Sequence, residues 1–227
     1  MYLGGSPQKG ETENPRLGDD MQANDGDIQT MFGTPVLVKP NAGSPEMNAG
    51  LIDFLHDLER QDPQPRKTSR SGIGGWRTSD AILDAEVPAI QELKDVIKTA
   101  IGQVLATADH QLCKGVVNRL YGWANINRSG DYNTIHSHPT SHWSGIYYVA
   151  ADGAVDPEAP LSGVVEFQDP RGAVHAQPFP GFDFARKLRL VPEPGLILVF
   201  PGWLLHMVHP CRGPAERISF AFNSTYE

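Results

Sequence analysis

Asn133-Thr-Ile-His-Ser-His-Pro139 carries two histidines separated by a single residue. Side chains of an extended strand alternate with a period of two, so His136 and His138 are expected on one face, at a spacing that suits a metal ion. Far downstream, Gly195-Leu-Ile-Leu-Val-Phe-Pro201 reads as a strand stopped by Pro201-Gly202, and the next short run brings His206. The turn-forming Pro210-Cys-Arg-Gly-Pro-Ala215 then leads into a last run, with Arg217, Ser219 and Ala221 on one face and Ile218, Phe220 and Phe222 on the other. A hairpin around Cys211 and Arg212 would set His206 and Arg217 nearly opposite each other, on one side of one sheet.

Working outward, the second half of the chain is a series of short β-type runs separated by Gly, Pro, Asn and Asp. They are Val116 to Ala124, Ser144 to Val149, Gly163 to Gln168, Leu188 to Leu190, Leu196 to Phe200, His206 to His209 and Arg217 to Asn223. The first half reads differently. Ser44 is an expected N-cap ahead of Pro45 for a helix to Arg60, with Leu51, Phe54, Leu55 and Leu58 at helical spacing. Between Ser79 and Ala108, an apolar stripe of Ile90, Leu93, Val96, Ile97, Ile101, Val104 and Leu105 predicts a second helix, with Pro88 separating off a first turn. Helices first and many short strands afterwards indicate an α+β chain, mainly β, built as a sandwich or barrel. Residues 1–28, poor in large apolar side chains, read as a loose tail. Residues 29–227 read as one domain, with its helical part at 45–110 and its strand-rich core at 116–223.

Composition narrows the function classes. A net charge of −8 without a dense Lys/Arg run argues against a nucleic-acid partner. Cys113 and Cys211 form no metal or disulfide spacing and fit a reducing compartment. No apolar run approaches a membrane span and no signal-peptide pattern is present, so a cytoplasmic protein is expected, with a homodimer as one arrangement.

An arginine near a metal site grips a carboxylate with two hydrogen bonds, and Ser219 can add a third, so a dicarboxylate chelating the metal at one end would be held at the other. His136, His138, His206, Arg217 and Ser219 together resemble the double-stranded β-helix dioxygenases dependent on Fe(II) and 2-oxoglutarate. More closely, Asn-x-x-His-x-His-Pro, Ser144-Gly-Ile-Tyr-Tyr-Val149, Asp169-Pro-Arg171, the run from Pro194-Gly195 to Phe200-Pro201 and the His206 to Asn223 ending are similar to a bacterial and phage family of 2-oxoglutarate/iron oxygenases. The opening Phe32-Gly-Thr-Pro-Val36 is similar as well.

The resemblance implies a jelly-roll, cupin-like core with the helices packed on it, and a hydroxylase whose substrate the sequence leaves open among a peptide side chain, a nucleotide and a small metabolite. It makes His136 and His206 iron ligands, and Arg217 with Ser219 the anchor of the far carboxylate of 2-oxoglutarate. His138 departs from the superfamily's Asp or Glu. Three imidazoles resemble the ligand set of cupin-type dioxygenases that use no keto acid, or of a metal-binding jelly roll without catalysis. The alternative is a carboxylate entering from Asp131, Glu166 or Asp169. Only one of Tyr147 and Tyr148 can face the pocket, where a phenol would hydrogen-bond the cosubstrate carboxylate, and Tyr147 is the candidate. Asn125, Trp143 and Trp203 are candidates for substrate contact, as are Trp123 and Asn127. His142 and His209 are expected outside the metal site. The simpler reading of Arg217 is an ion pair with Glu216. Substrate choice would be set by the loops Ala150 to Leu161 and Gln177 to Ala185.

Overall fold

The hydroxyl of Ser44 accepts the backbone N–H of Met47 at 3.0 Å, and Pro45 occupies the first turn, so the first helix starts where the sequence places it. In the computed structural model, which describes residues 33–63, 71–107, 118–151, 158–171 and 187–226, this helix (α1) spans Pro45–Gln61. Met47, Leu51 and Leu55 form its buried stripe. A single 3₁₀ turn at Ile82–Asp84 precedes Pro88, which opens the second helix (α2, Pro88–Leu105). Ile90, Leu93, Ile97, Ile101 and Val104 of α2 are buried on one face. The expected tail at 1–28, and most of the two loops expected to set substrate choice, lie outside the described residues.

Eleven strands follow the chain among the described residues: β1 Leu37–Lys39, β2 Gly72–Ile73, β3 Trp76–Arg77, β4 Asn118–Asn127, β5 Tyr132–His136, β6 Trp143–Ala150, β7 Val165–Phe167, β8 Leu188–Leu190, β9 Ile197–Pro201, β10 His206–Val208 and β11 Arg217–Tyr226. They form two antiparallel sheets, a larger one ordered β1-β9-β6-β11-β4-β3 and a smaller one ordered β2-β5-β10-β7-β8. Both helices cover the outer face of the larger sheet. Leu51, Leu55, Leu93 and Ile97 meet Tyr147, Val149, Ile197, Val199, Phe220 and Phe222 there. A second apolar cluster, including Ile146, Tyr148, Val165, Phe167, Leu198 and Phe200, fills the space between the sheets. The fold is a jelly roll with helices on one side.

β11 carries the alternation read from its sequence. Ile218, Phe220 and Phe222 enter the helix-side core, and Arg217, Ser219, Ala221 and Asn223 line the interior cavity. The expected hairpin between His206 and Arg217 does not form. β10 is paired on both sides, by β5 and β7, and β11 on both sides, by β4 and β6, so the connection between them crosses from the smaller sheet to the larger. His206 and Arg217 belong to different sheets, and their side chains line the same cavity.

Candidate metal centre

β5 ends at His136, so His138 lies beyond the strand, and strand alternation is not what brings the two rings together. His138 is set instead by the β9–β10 turn. Its backbone N–H donates to the Gly202 carbonyl at 2.6 Å, and the Gly202 N–H donates to the His142 carbonyl at 3.0 Å. A side chain at 202 would strike the carbonyls of Ser141 and His138, which explains the glycine after Pro201. His136 and His206 face each other as register partners of β5 and β10.

The three rings converge. Ring centroids lie 4.3 Å apart for His136 and His206, 5.2 Å for His136 and His138, and 5.3 Å for His138 and His206. One nitrogen from each ring lies within 4.8 Å of the others, the separation a common ion would bridge. His136 Nδ1 is 2.7 Å from the Thr134 carbonyl and His206 Nδ1 is 2.9 Å from the Leu204 carbonyl. With Nδ1–H donating to those carbonyls, the tautomer is fixed and the Nε2 lone pairs are left for a metal. Burial, with the neighbouring His136 as second cause, pushes His206 down to about 3 and His138 to about 4. His136 is also lowered by burial, against its bond to Thr134. All three are neutral at pH 7, as metal ligands must be. Phe167 and Phe200 pack on the His206 ring, at 5.8 and 4.8 Å between centroids, and hold it on its dry side.

Among the described residues no carboxylate joins the three histidines. Asp131 accepts the backbone N–H of Arg128, Asp169 pairs with Arg171, and Glu166 pairs with Lys187, Arg189 and His209. His142 accepts the Tyr226 N–H, so neither it nor His209 enters the cluster. Among the described residues the cluster that could hold a metal consists of the three histidines.

Arg217 is buried, and Glu216 pairs with Arg128 and His56 rather than with it. Its Nη2 donates to Asn127 Oδ1 at 2.7 Å, and its Nε has no partner. Ser219 and Asn125 are register partners in the same cavity, whose volume is about 530 Å³. Tyr147 is not there. Its hydroxyl donates to Asn48 Oδ1 at 2.7 Å on the helix side of the larger sheet, because β6 register with β11 puts Tyr148, not Tyr147, beside Ser219. Tyr148 is wholly buried, its hydroxyl unpartnered and pushed up to about 12 by burial, with Arg217 opposing the rise. It is a neutral phenol at any working pH.

Trp143 packs against the helix-side core, and Trp203 is more than half exposed at the β9–β10 turn, so neither lines the cavity. Trp123 does, 6.0 Å from the His138 ring. Sequence reading missed Arg77 and Asp80, which also line it and lie in a segment without local pattern.

Residues 121–223 match a family model described as "Putative 2OG-Fe(II) oxygenase". The match spans the strand-rich core, from β4 to β11, and includes His136, His138, His206, Arg217 and Ser219. No curated protein matches the sequence. Among solved structures, a prolyl-4-hydroxylase of Pseudomonas putida is similar at 12% identity and a TM-score of 0.59, over 84% of this chain and 91% of that one. A prolyl hydroxylase of Trichoplax adhaerens in complex with a hypoxia inducible factor peptide fragment is 11% identical with a TM-score of 0.57, over 84% and 83%. HygX of Streptomyces hygroscopicus, with nickel and 2-oxoglutarate bound, is 15% identical with a TM-score of 0.56, over 85% and 83%. At such identities these likenesses bear on the fold. The chain thus has the double-stranded β-helix fold, and the family its core matches is one of 2-oxoglutarate/Fe(II) oxygenases. Among the described residues no helix is long and apolar enough to cross a membrane.

Proposed function

We propose that this oxygenase hydroxylates a small molecule or peptide, with His136, His138 and His206 holding iron and Arg217, Ser219 and Tyr148 holding the far carboxylate of 2-oxoglutarate. The observation that carries the reading is Arg217: a buried guanidinium with an unpartnered Nε, no acidic partner among the described residues, and a cavity shared with three neutral imidazoles. A buried cation without a counter-charge is costly, and an anionic ligand removes that cost.

The donor set fits the group. Imidazole Nε2 lone pairs suit Fe(II), and no proton must leave for binding. Iron bound there supplies the redox chemistry that couples decarboxylation of 2-oxoglutarate by dioxygen to oxidation of the substrate. The protein's own work is positional. Asn127 fixes one arm of the Arg217 guanidinium, which leaves Nε to donate to a carboxylate. Tyr148 has a proton to donate from the neighbouring strand. Phe167 and Phe200 exclude water from one side of His206.

A second reading follows from His138. Three neutral ligands are also the set of cupin-type dioxygenases that use no keto acid. Anaerobic titration of the Fe(II)-loaded protein with 2-oxoglutarate, following the visible charge-transfer absorption, decides between the two. A saturable band that requires higher ligand concentration in Arg217→Ala supports the first reading. Iron bound with no band at any ligand concentration rejects it.

A further inference from the structure

Between β2 and β3, Gly74 and Gly75 adopt φ of 70° and 73°, and the chain passes from the smaller sheet to the larger within a few residues. A Cβ at these positions would strike Asp131 and Asn127, so only glycine makes this crossing. The crossing delivers Arg77 opposite Asn125 on β4, at the wall of the histidine cavity. Its guanidinium lies 4.5 Å over the Trp123 ring, beside His138. Nη1 donates to the Thr78 carbonyl at 3.2 Å, and Nη2 pairs with Asp80, whose side chain is 60% exposed at the rim.

Charge in this cavity is sparse. With the histidines neutral, Arg77, Asp80 and Arg217 are its charged side chains among the described residues. Arg217 is bonded to Asn127, four residues along β4 from Trp123, or about 13 Å of extended chain. The two guanidinium groups thus have different partners on β4, Asn127 for Arg217 and the Trp123 ring for Arg77. If Arg217 is committed to the cosubstrate, Arg77 and Asp80 remain to recognise whatever is oxidised.

We propose that Arg77 and Asp80 form a clamp for a compact zwitterion, a free α-amino acid or a molecule of the same charge pattern, with Trp123 as the surface under its carbon chain. The proposal rests on the oxygenase reading above. A pair of opposite charges side by side selects by subtraction: a plain anion that approaches Arg77 meets Asp80, and a plain cation that approaches Asp80 meets Arg77. A molecule carrying ammonium and carboxylate on one carbon matches both groups at once and exchanges one ion pair for two. The guanidinium is already oriented, stacked on Trp123 and tied to Thr78, so little ordering is lost on binding. A cavity of about 530 Å³ has room for a cosubstrate and a second small molecule.

The test is calorimetric titration of the metal-loaded protein, with and without 2-oxoglutarate, using the free L-amino acids. Each is compared with its analogue lacking the amine, its analogue lacking the carboxylate, and a capped peptide of the same residue. The expected result is that at least one amino acid binds, that both single-charge analogues and the capped peptide bind about tenfold more weakly or worse, and that Arg77→Gln and Asp80→Asn each loosen it by about tenfold. The 2-oxoglutarate charge-transfer band should be unchanged in both variants, and circular dichroism should show both folded. The proposal is overturned if no free amino acid binds to protein that forms a normal band, if a capped peptide binds better, or if binding ignores both substitutions. Loss of the band in the unmutated protein would instead reject the cosubstrate reading, and calorimetry without 2-oxoglutarate would still report on the clamp.

Discussion

Arg217→Met separates a structural arginine from a ligand-holding one. Arg217 is 6% exposed, and its guanidinium donates to Asn127 and leaves Nε unpartnered. Replacing a buried ion pair by apolar side chains of similar volume is often neutral or stabilising by about 1–4 kcal/mol, and a buried cation without a counter-charge gives up at least as unfavourable a desolvation. The opposing cost is Asn127 Oδ1, which loses its donor and forfeits about 1–3 kcal/mol. The metal-free variant is therefore expected at equal or slightly higher stability, about 1 kcal/mol up, or roughly 2–4 °C in Tm for a chain of this size. Affinity for 2-oxoglutarate should move the other way. Losing charge-assisted bonds worth about 1.5–3 kcal/mol loosens binding roughly 10- to 150-fold. Thermal unfolding without metal and the anaerobic band titration read the two effects separately. A variant several kcal/mol less stable, or one that binds 2-oxoglutarate as well as the parent, would refute the reasoning, because Arg217 would then be satisfied by the protein itself.

Three other perturbations are informative. His206 and His138 are held far below their unfolded value and His136 is also lowered, so between pH 6.5 and 4 the unfolded chain binds more protons than the folded one, and stability falls as pH falls. Denaturant unfolding of the metal-free protein should show a loss of about 2 kcal/mol from pH 7 to 5 for His206 alone, and a flat profile would contradict its burial as a neutral ring. His138→Asp restores a carboxylate to the cluster; Fe(II) should still bind, while 2-oxoglutarate binds the now less positive centre more weakly, and tighter keto-acid binding in the titration would count against the charge argument. Gly145→Ala drives a methyl into the Phe222 ring and the Leu198 carbonyl at the centre of the larger sheet, and should cost at least about 1–3 kcal/mol by chemical denaturation.

Much of the architecture was legible because the decisive signals are local. Ser44-Pro45 fixes the start of α1, and the stripe from Ile90 to Val104 fixes the buried face of α2. In β11, alternation separates Arg217, Ser219 and Ala221 from Ile218, Phe220 and Phe222 without knowledge of its partners. What failed depended on register and pairing, which are non-local. Tyr147 and Tyr148 differ by one residue, and that step moves a phenol from the helix side to the sheet interior. The irregularity between Ile218 and Ser219 in the pairing with β6 adds to the ambiguity. His206 and Arg217 looked like hairpin neighbours because a turn sequence separates them, but both of their strands had other partners on each side. Arg77 has no signal of its own, since its role follows from the Gly74-Gly75 crossing and from Trp123 on a strand far away in sequence.

The same geometry gives a reason for a third histidine. A carboxylate at position 138 would offset one of the two positive charges of Fe(II), whereas three neutral rings leave both for the ligand. A keto acid that binds such a centre meets the undiminished metal charge at one end and the unpartnered Arg217 at the other. On the proposed reading, holding this dianion would be the work of Arg217 and a bound metal ion, neither offset by a carboxylate among the described residues. The apolar walls at Phe167 and Phe200 keep water from screening the His206 side. The price of the arrangement is a metal-free cavity with unmet polar demand at Arg217 Nε and at the Tyr148 hydroxyl. Stability and cosubstrate binding are therefore coupled. Ligands that satisfy those groups should raise the unfolding temperature of the protein as they bind, and substitutions that satisfy them internally should stabilise it while weakening the site.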